Sequence, residues 1–367
     1  MRYLLAVLFA SAALGQSGPR VQISHTTEGL RGVSAVSRDV AWASGTRGTY
    51  LRTVDGGRTW TPAQVPDAGA LDFRAVVAFS AGEAFLMSAG PGDQSRIYHT
   101  SDGGTHWQSQ FTNANPKGFF DSMVFWDPKH GVVVGDPIPD ESGLLKFEVL
   151  LTEDGQNWRA LTPSQLPAAM EGEGAFAASN TCIAIVPSAS DSNIWFATGG
   201  KIARVFHSPD RGKSWQVVET PMVHGPESAG IFSIAFRDAM HGVIAGGDYK
   251  HPNDDGPNLA FTEDGGKTWT LSPLHPLAYF SAVVYDRSVN ESAIREAAVE
   301  KKMRVQAVPP QRLFIVGQDF VFDFRPPNNP RRINGKKKFG VTFNAASGYS
   351  EGGALVVGPK GAIAFIP

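Results

Sequence analysis

Residues 262–269 read TEDGGKTW, and the same pattern occurs four times upstream: TVDGGRTW from Thr53, TSDGGTHW from Thr100, TEDGQNW from Thr152 and SPDRGKSW from Ser208. The aspartates Asp55, Asp102, Asp154, Asp210 and Asp264 stand 47, 52, 56 and 54 residues apart. A spacing of about fifty residues is the size of a four-stranded propeller blade. Each copy has the chemistry of a hairpin turn. A hydroxyl residue ends one strand, the Asp carboxylate folds back onto backbone N–H groups, a Gly takes a positive-φ position, and Trp begins the returning strand. On this reading the five aspartates and the tryptophans Trp60, Trp107, Trp158, Trp215 and Trp269 are structural. Each indole N–H then needs a partner beside its hairpin.

Ahead of every motif come two short apolar runs closed by Gly: GVSAV and DVAWASG, FRAVVAF and EAFLMSAG, DSMVFW and GVVVGDP, CIAIVP and NIWFATGG, IFSIAF and GVIAGGD. These read as the two inner strands of a blade. Two further pairs lack the motif, FSAVVYD with RLFIVGQD and GVTFNAAS with ALVVGP, which brings the count to seven. The last repeat stops after a third strand, GAIAFI, whereas RVQISHT from Arg20 to Thr26 has no hairpin partner. That N-terminal segment is expected to supply the missing strand and close the ring, hiding both edges. The expected fold is therefore all-β: a single seven-bladed β-propeller of four-stranded antiparallel blades over residues 16–367. Six blades with one degenerate hairpin is the alternative. A helical insertion is predicted near 288–303, where Ser288 and Glu291 have capping-box spacing.

The N-terminus carries Arg2, an apolar run from Tyr3 to Leu14, and small residues ending at Gly15. This is the order of a secretory signal peptide over residues 1–15, so a secreted or periplasmic location is expected. The run is too short to cross a bilayer, which needs roughly 20 residues, and no other apolar run is longer, so no membrane span is predicted. A net charge of −2 gives no general argument for a nucleic-acid partner. The only cysteine, Cys182, lies in TCIAIV and reads as a buried hydrophobe. No cofactor motif is present: there is neither a Walker loop nor a G-x-G-x-x-G between strand and helix. NDDG at Asn253 falls short of a calcium loop, and His224, His251 and His275 lack zinc spacing, so no metal is assigned.

The pattern S/T-x-D-x-G-x-x-W is that of the Asp-box, or BNR repeat; four copies match in full and the one at Thr152 is a residue short. In propellers carrying it, the box is a folding element between a blade's third and fourth strands. In layout the chain most resembles the photosystem II stability and assembly factor propellers of the Ycf48 type and their bacterial relatives. Those are exported single-domain propellers with repeats reading roughly G-x-x-G-x-x-x-x-T-x-D-G-G-x-T-W. GTRGTYLRTVDGGRTW, from Gly45 to Trp60, follows that style. The resemblance implies a non-enzymatic binding or assembly scaffold and does not imply a photosynthetic role. Sialidases and related glycosidases also carry the box, and a glycoside hydrolase using top-face carboxylates is the alternative. Their first-blade F/Y-R-I-P segment is absent: Arg31 lies in LRGVS, Arg74 in DFRAV, and FRPP at Phe324 comes too late.

If the boxes define the bottom, the second-to-third loops and the inter-blade loops emerge on top. Three of those loops are enlarged: SAGPGDQSR around Asp93, GDPIPDESGLLKF around Asp136 and Asp140, and GGDYKHPNDDGPN around Asp248, His251, Asp254 and Asp255. Inter-blade loops add Glu171, Glu173, His224, Glu227 and His275. Loops are where binding usually resides, so this acidic face is the expected functional surface, with a protein or glycan partner and a monomeric propeller. Asp136 and Asp248 each follow a Gly that ends a second strand and should lie near the channel. A basic run, RRINGKKK from Arg331 to Lys338, is the other candidate surface.

Overall fold

A computed structural model describes residues 18–186, 192–273, 278–286, 312–317, 319–324, 331–334, 340–350 and 352–367. The expected signal peptide, the insertion near 288–303, His275 and Lys336 to Lys338 lie outside these residues. Seven antiparallel sheets follow one another along the chain and form seven blades. Their innermost strands are Leu30–Ala35, Asp72–Ala78, Phe120–Asp127, Ile183–Ala184, Ala229–Phe236, Phe280–Tyr285 and Ala345–Gly348. Each blade has four strands, and the fifth blade's sheet gains two short ones, Glu173–Gly174 and Gly199–Gly200, that reach it from the fourth repeat.

The core is divided as the ring demands. Seven apolar clusters fill the seven junctions between neighbouring blades, such as Ala43, Leu51 and Trp60 of blade 1 against Leu355, Val357 and Ile363 of blade 7. Alternation along each strand sends one face to each neighbour, which is why the inner runs are apolar on both sides.

Closure occurs as the sequence suggests. Arg20–Gln22 pairs with Ala362–Ile366, Arg20 opposite Phe365 and Gln22 opposite Ile363, and becomes the outer strand of blade 7. A side chain confirms the equivalence. Gln22 donates from Nε2 to Gly56 O (3.2 Å) and accepts the Trp60 indole N–H (2.9 Å). Gln110, in the outer strand of blade 2, does the same to Gly155 O (2.8 Å) and Trp158 (3.0 Å) of blade 3.

The boxes fold as local hydrogen-bond knots. Thr53 Oγ1 donates to Asp55 (2.9 Å) and accepts the Gly57 N–H (2.9 Å), while Asp55 takes the Thr59 N–H (2.9 Å). The copies at Thr100, Ser208 and Thr262 repeat this set. The short copy compensates: Asp154 takes the N–H groups of Gln156 and Asn157 instead. Backbone N–H donors lead in holding Asp55, Asp102 and Asp154 low, the His106 N–H foremost for Asp102, which falls to about 2, whereas the Ser214 and Thr268 hydroxyls lead for Asp210 and Asp264. The expectation that every box indole is paired fails at Trp107 and Trp269, whose Nε1 atoms are buried without a hydrogen-bond partner. Ring packing replaces it at both positions: Trp107 meets Trp42 and Tyr50 edge-on, and Trp269 meets Phe236.

Two inner-strand readings need correction. The stretch around Asp136 and Asp140 is less a loop than a lengthened hairpin, His130–Pro139 against Leu145–Thr152, turning over residues 140–144. In CIAIVP only Ile183–Ala184 pairs as strand, with the Cys182 carbonyl taking the Ala197 N–H at its start.

Candidate functional site

Five innermost strands share a β-bulge within the first few residues of their loop-side end. Leu30 pairs with Gly45 and Gly32 with Ser44, leaving Arg31 extra. By the same register Arg74, Asp121, Phe232 and Ser281 are the extra residues of blades 2, 3, 5 and 6. A bulge bends its strand and re-aims the unpaired side chain. The result is a ring of five bulge residues at the loop-side mouth of the central channel, on the innermost strand of each blade.

Blade 4 replaces the single extra residue with a whole segment. Gly174 pairs with Gly199 and Ile183 with Phe196, so residues 175–182 lie outside the strand register, Cys182 keeping one bond to the blade through the Ala197 N–H (2.8 Å), and enter the channel as a plug. The plug reaches four other blades. Arg74 donates to Ala177 O (3.1 Å). Asn180, at φ +61°, takes the Met123 N–H (2.7 Å) and donates to Met123 O (3.0 Å). Ile234 N–H bonds Thr181 O (2.8 Å), and Ser179 Oγ donates to Ser281 O (2.7 Å). Cys182 is buried as expected, its thiol against Ser122 Oγ at 3.0 Å and pushed well up by that burial. Phe176 stacks on Phe232 at 3.8 Å, and Phe232 meets Tyr279 and Tyr249 edge-on.

The base of the plug is fixed by a buried ion pair. Glu173 receives Arg204 Nε (3.0 Å), Thr198 Oγ1 (2.6 Å) and the Met170 N–H (2.8 Å). Glu173, expected on an inter-blade loop of the functional face, is instead internal and fully engaged. Beside it Gly199 and Gly230 cross so closely that a Cβ on Gly230 would stand 2.3 Å from the Gly199 Cα. Gly230 also has φ +148°, which only glycine adopts freely.

Charges at the mouth are shared. Arg74 Nε binds Asp72 at 2.9 Å and Arg31 approaches the same carboxylate at 3.8 Å. Asp136 is half-buried and takes the Ala175 N–H (3.0 Å); burial raises its carboxyl to about 6. Asp121 is fully buried and is raised well above the usual carboxylate range by that burial and then by the Asp136 charge, with Arg74 opposing. Glu148, raised by burial, is held by Asn113 (2.9 Å).

The other expected residues are placed as follows. Asp248 closes the strand Gly242–Asp248 and pairs with His251 Nδ1 at 2.9 Å, which raises the imidazole. Asp254 and Asp255 are exposed in the same loop. Asp93 is exposed and 3.7 Å from Arg96. Asp140 caps its own turn through the Ser142 and Leu144 N–H groups. His224 is exposed and lies 2.9 Å from Met222 O. The structure thus joins Asp248 to His251 and Asp136 to the plug. Among the described residues no cluster of His, Cys, Asp or Glu is arranged to hold a metal ion, and no helix is long and apolar enough to cross a membrane. The ring itself escaped the sequence reading, although a signal existed. Each bulge sits in the frame apolar, any residue, small, apolar: LRGV, FRAV, FDSM, IFSI and FSAV.

Comparison with known proteins agrees with this architecture. The family model of the photosynthesis system II assembly factor YCF48 matches residues 17–118. A chloroplastic photosystem II stability/assembly factor HCF136 from Oryza sativa subsp. japonica is 29% identical over 129 residues, which is 34% of this chain and 28% of the rice protein. The chain thus matches less than a third of that relative's length. Among solved structures, YCF48 bound to D1 peptide superposes with a TM-score of 0.63 at 16% identity, covering 96% of this chain and 98% of the other. YCF48 from Cyanidioschyzon merolae gives 0.59 at 17%, covering 95% and 98%. The WD40 propeller of Doa1 also gives 0.59, at 11% identity and 95% and 97% coverage, so these likenesses speak for the fold alone. The chain is a seven-bladed BNR-repeat β-propeller similar to the Ycf48-type proteins, in sequence over its first two blades and in fold over nearly its whole length.

Proposed function

We propose that this chain is a non-enzymatic assembly-factor propeller that binds a polypeptide segment on its loop face. The observation that carries the reading is the engagement of the charged groups at the mouth. Arg74 is held by Asp72, Glu173 by Arg204, and Asp136 by the Ala175 N–H, so these groups build the surface. A glycosidase needs two carboxyl groups about 5–10 Å apart across an open bond-sized gap. Here Asp136 faces the plug and Asp248 faces His251. Apolar groups suited to a peptide do reach solvent on this face: Tyr249 is 50% exposed beside Phe232, and Leu144 and Met170 stand at 53% and 51%. The sequence match to a photosystem II stability/assembly factor supports the partner class, and the D1 peptide carried by a propeller of the same fold supplies the probe. Export through the N-terminal signal and a monomeric state complete the proposal.

The test is a fluorescence-anisotropy titration of the mature protein with a labelled D1-derived peptide. Saturable binding is expected, weakened about tenfold in Tyr249→Ala, because few exposed aromatics dominate such contacts. Turnover of aryl glycosides without peptide binding would replace this reading with the glycosidase.

A further inference from the structure

The plug is anchored by two carboxyls whose burial it completes. Asp136 Oδ1 takes the Ala175 N–H at 3.0 Å and lies where a Cβ on Gly174 would meet it at 3.0 Å. Asp121 faces the Ala177 N–H, is 1% exposed, and keeps its Oδ2 buried without a hydrogen-bond partner. Arg74 holds the other side of the same residue through Ala177 O. We infer that residues 175–182 are a proton-tightened plug: Asp121 and Asp136 seat its backbone at Ala177 and Ala175, and the channel mouth loosens when both carboxyls carry charge.

The physical basis is desolvation. A carboxylate withdrawn from water is unfavourable unless fully compensated, and two of them close together repel as well. The groups facing the pair are Arg74 from blade 2, Glu148 from the lengthened hairpin of blade 3, and the Cys182 thiol from the plug. Asp72 draws on Arg74 and in turn attracts Arg31, so Arg74 is a counter-charge shared between two acids, Asp72 and Asp121. Lifting the plug hydrates Asp121 and Asp136 and returns them toward ordinary carboxylate behaviour. The seated state therefore binds protons more tightly than the lifted one. A folded pKa raised above its reference gives stability that is complete below the reference value and is lost as pH rises through the folded one. For Asp136 that window runs from 3.8 to about 6. The direction is set: the plug is firmest in mild acid and loosest at alkaline pH. This holds whichever partner the loop face binds.

Amide hydrogen exchange on the full mature chain reads the effect directly. Corrected for intrinsic chemical exchange, protection of the Ala175 and Ala177 amides is expected to fall on the order of tenfold between about pH 5 and pH 8. Protection of the Val243 and Ile244 amides in blade 5 is expected to stay constant. Asp136→Asn keeps an oxygen for the Ala175 N–H but cannot ionise, so it should flatten most of the pH dependence. Asp121→Asn with Asp136→Asn should remove it. Equal protection of the plug at both pH values in the wild type would overturn the inference. So would a pH dependence in Asp136→Asn as large as that of the wild type, or a loss spread equally over blade 5. Should the double variant fail to fold, the wild-type profile and the single variant decide the matter alone.

Discussion

Gln22 and Gln110 show how much one amide can do in a propeller. Each bridges two blades by giving a hydrogen bond to a box glycine carbonyl and taking one from a box indole. Gln22→Ala removes both and leaves the Trp60 N–H, on a residue only 1% exposed, without its acceptor. A cost of about 1–3 kcal/mol in chemical denaturation is expected, since a buried donor left unsatisfied bears its full desolvation penalty. Trp60→Ala should cost more, about 3–5 kcal/mol, through the cavity it leaves between blades 1 and 7. If Trp60→Ala retained wild-type stability, the structural reading of the boxes would fail. Asp136 corrects a different expectation. As a loop-face carboxylate near the channel it invites replacement by Ala with little effect on stability, yet it is half-buried and bonded to Ala175. Its removal is a perturbation of the plug, so exposed Tyr249 is the cleaner probe of binding.

At the scale of elements, the regular parts of each blade were legible and the irregular ones were not. Box spacing, paired apolar runs and the orphan N-terminal segment gave the blade count and the closing strand because each rests on a local pattern with a fixed period. The bulges and the plug break that period. Arg31, Arg74 and Asp121 interrupt their strands by one residue, which composition does not register. The plug lies in the longest box-to-box interval, the 56 residues from Asp154 to Asp210, yet its course across the channel depends on partners as distant as Arg74 and Ser281. Glycine marks where that course is enforced. Gly199→Ala would bring a Cβ to 2.4 Å from the Phe176 ring and 2.7 Å from the Gly230 Cα, neither of which can retreat without shifting the plug. A loss of at least about 1–3 kcal/mol is expected from such overpacking, together with disturbance of the Phe176–Phe232 stack. Near-wild-type stability with an unchanged aromatic environment by near-ultraviolet circular dichroism would show that the crossing has more room than this.

The whole ring is held shut twice, and the two closures differ in reach. At the rim, Arg20–Gln22 completes blade 7 and ties it to blade 1 through Gln22. At the axis, the plug from blade 4 ties blades 2, 3, 5 and 6 to one another with no contribution from the terminus. Removing residues 20–26 should therefore act unevenly. Blade 7 loses its outer strand, exposing the Ala362–Ile366 edge, and the Trp60 indole loses its acceptor, so amides of Val356, Ala364 and Ala43 are expected to lose protection first. Amides of Val133 and Ile244, in blades flanking the plug, should keep most of theirs. In calorimetry this predicts a lower and broader transition for the truncated chain, because the ring opens at one seam while the axial ties persist. An unchanged melting temperature would mean that the terminal strand adds nothing to closure. A uniform loss of protection through all blades would mean instead that the plug does not hold the ring once the rim is open, and that closure is a single cooperative event.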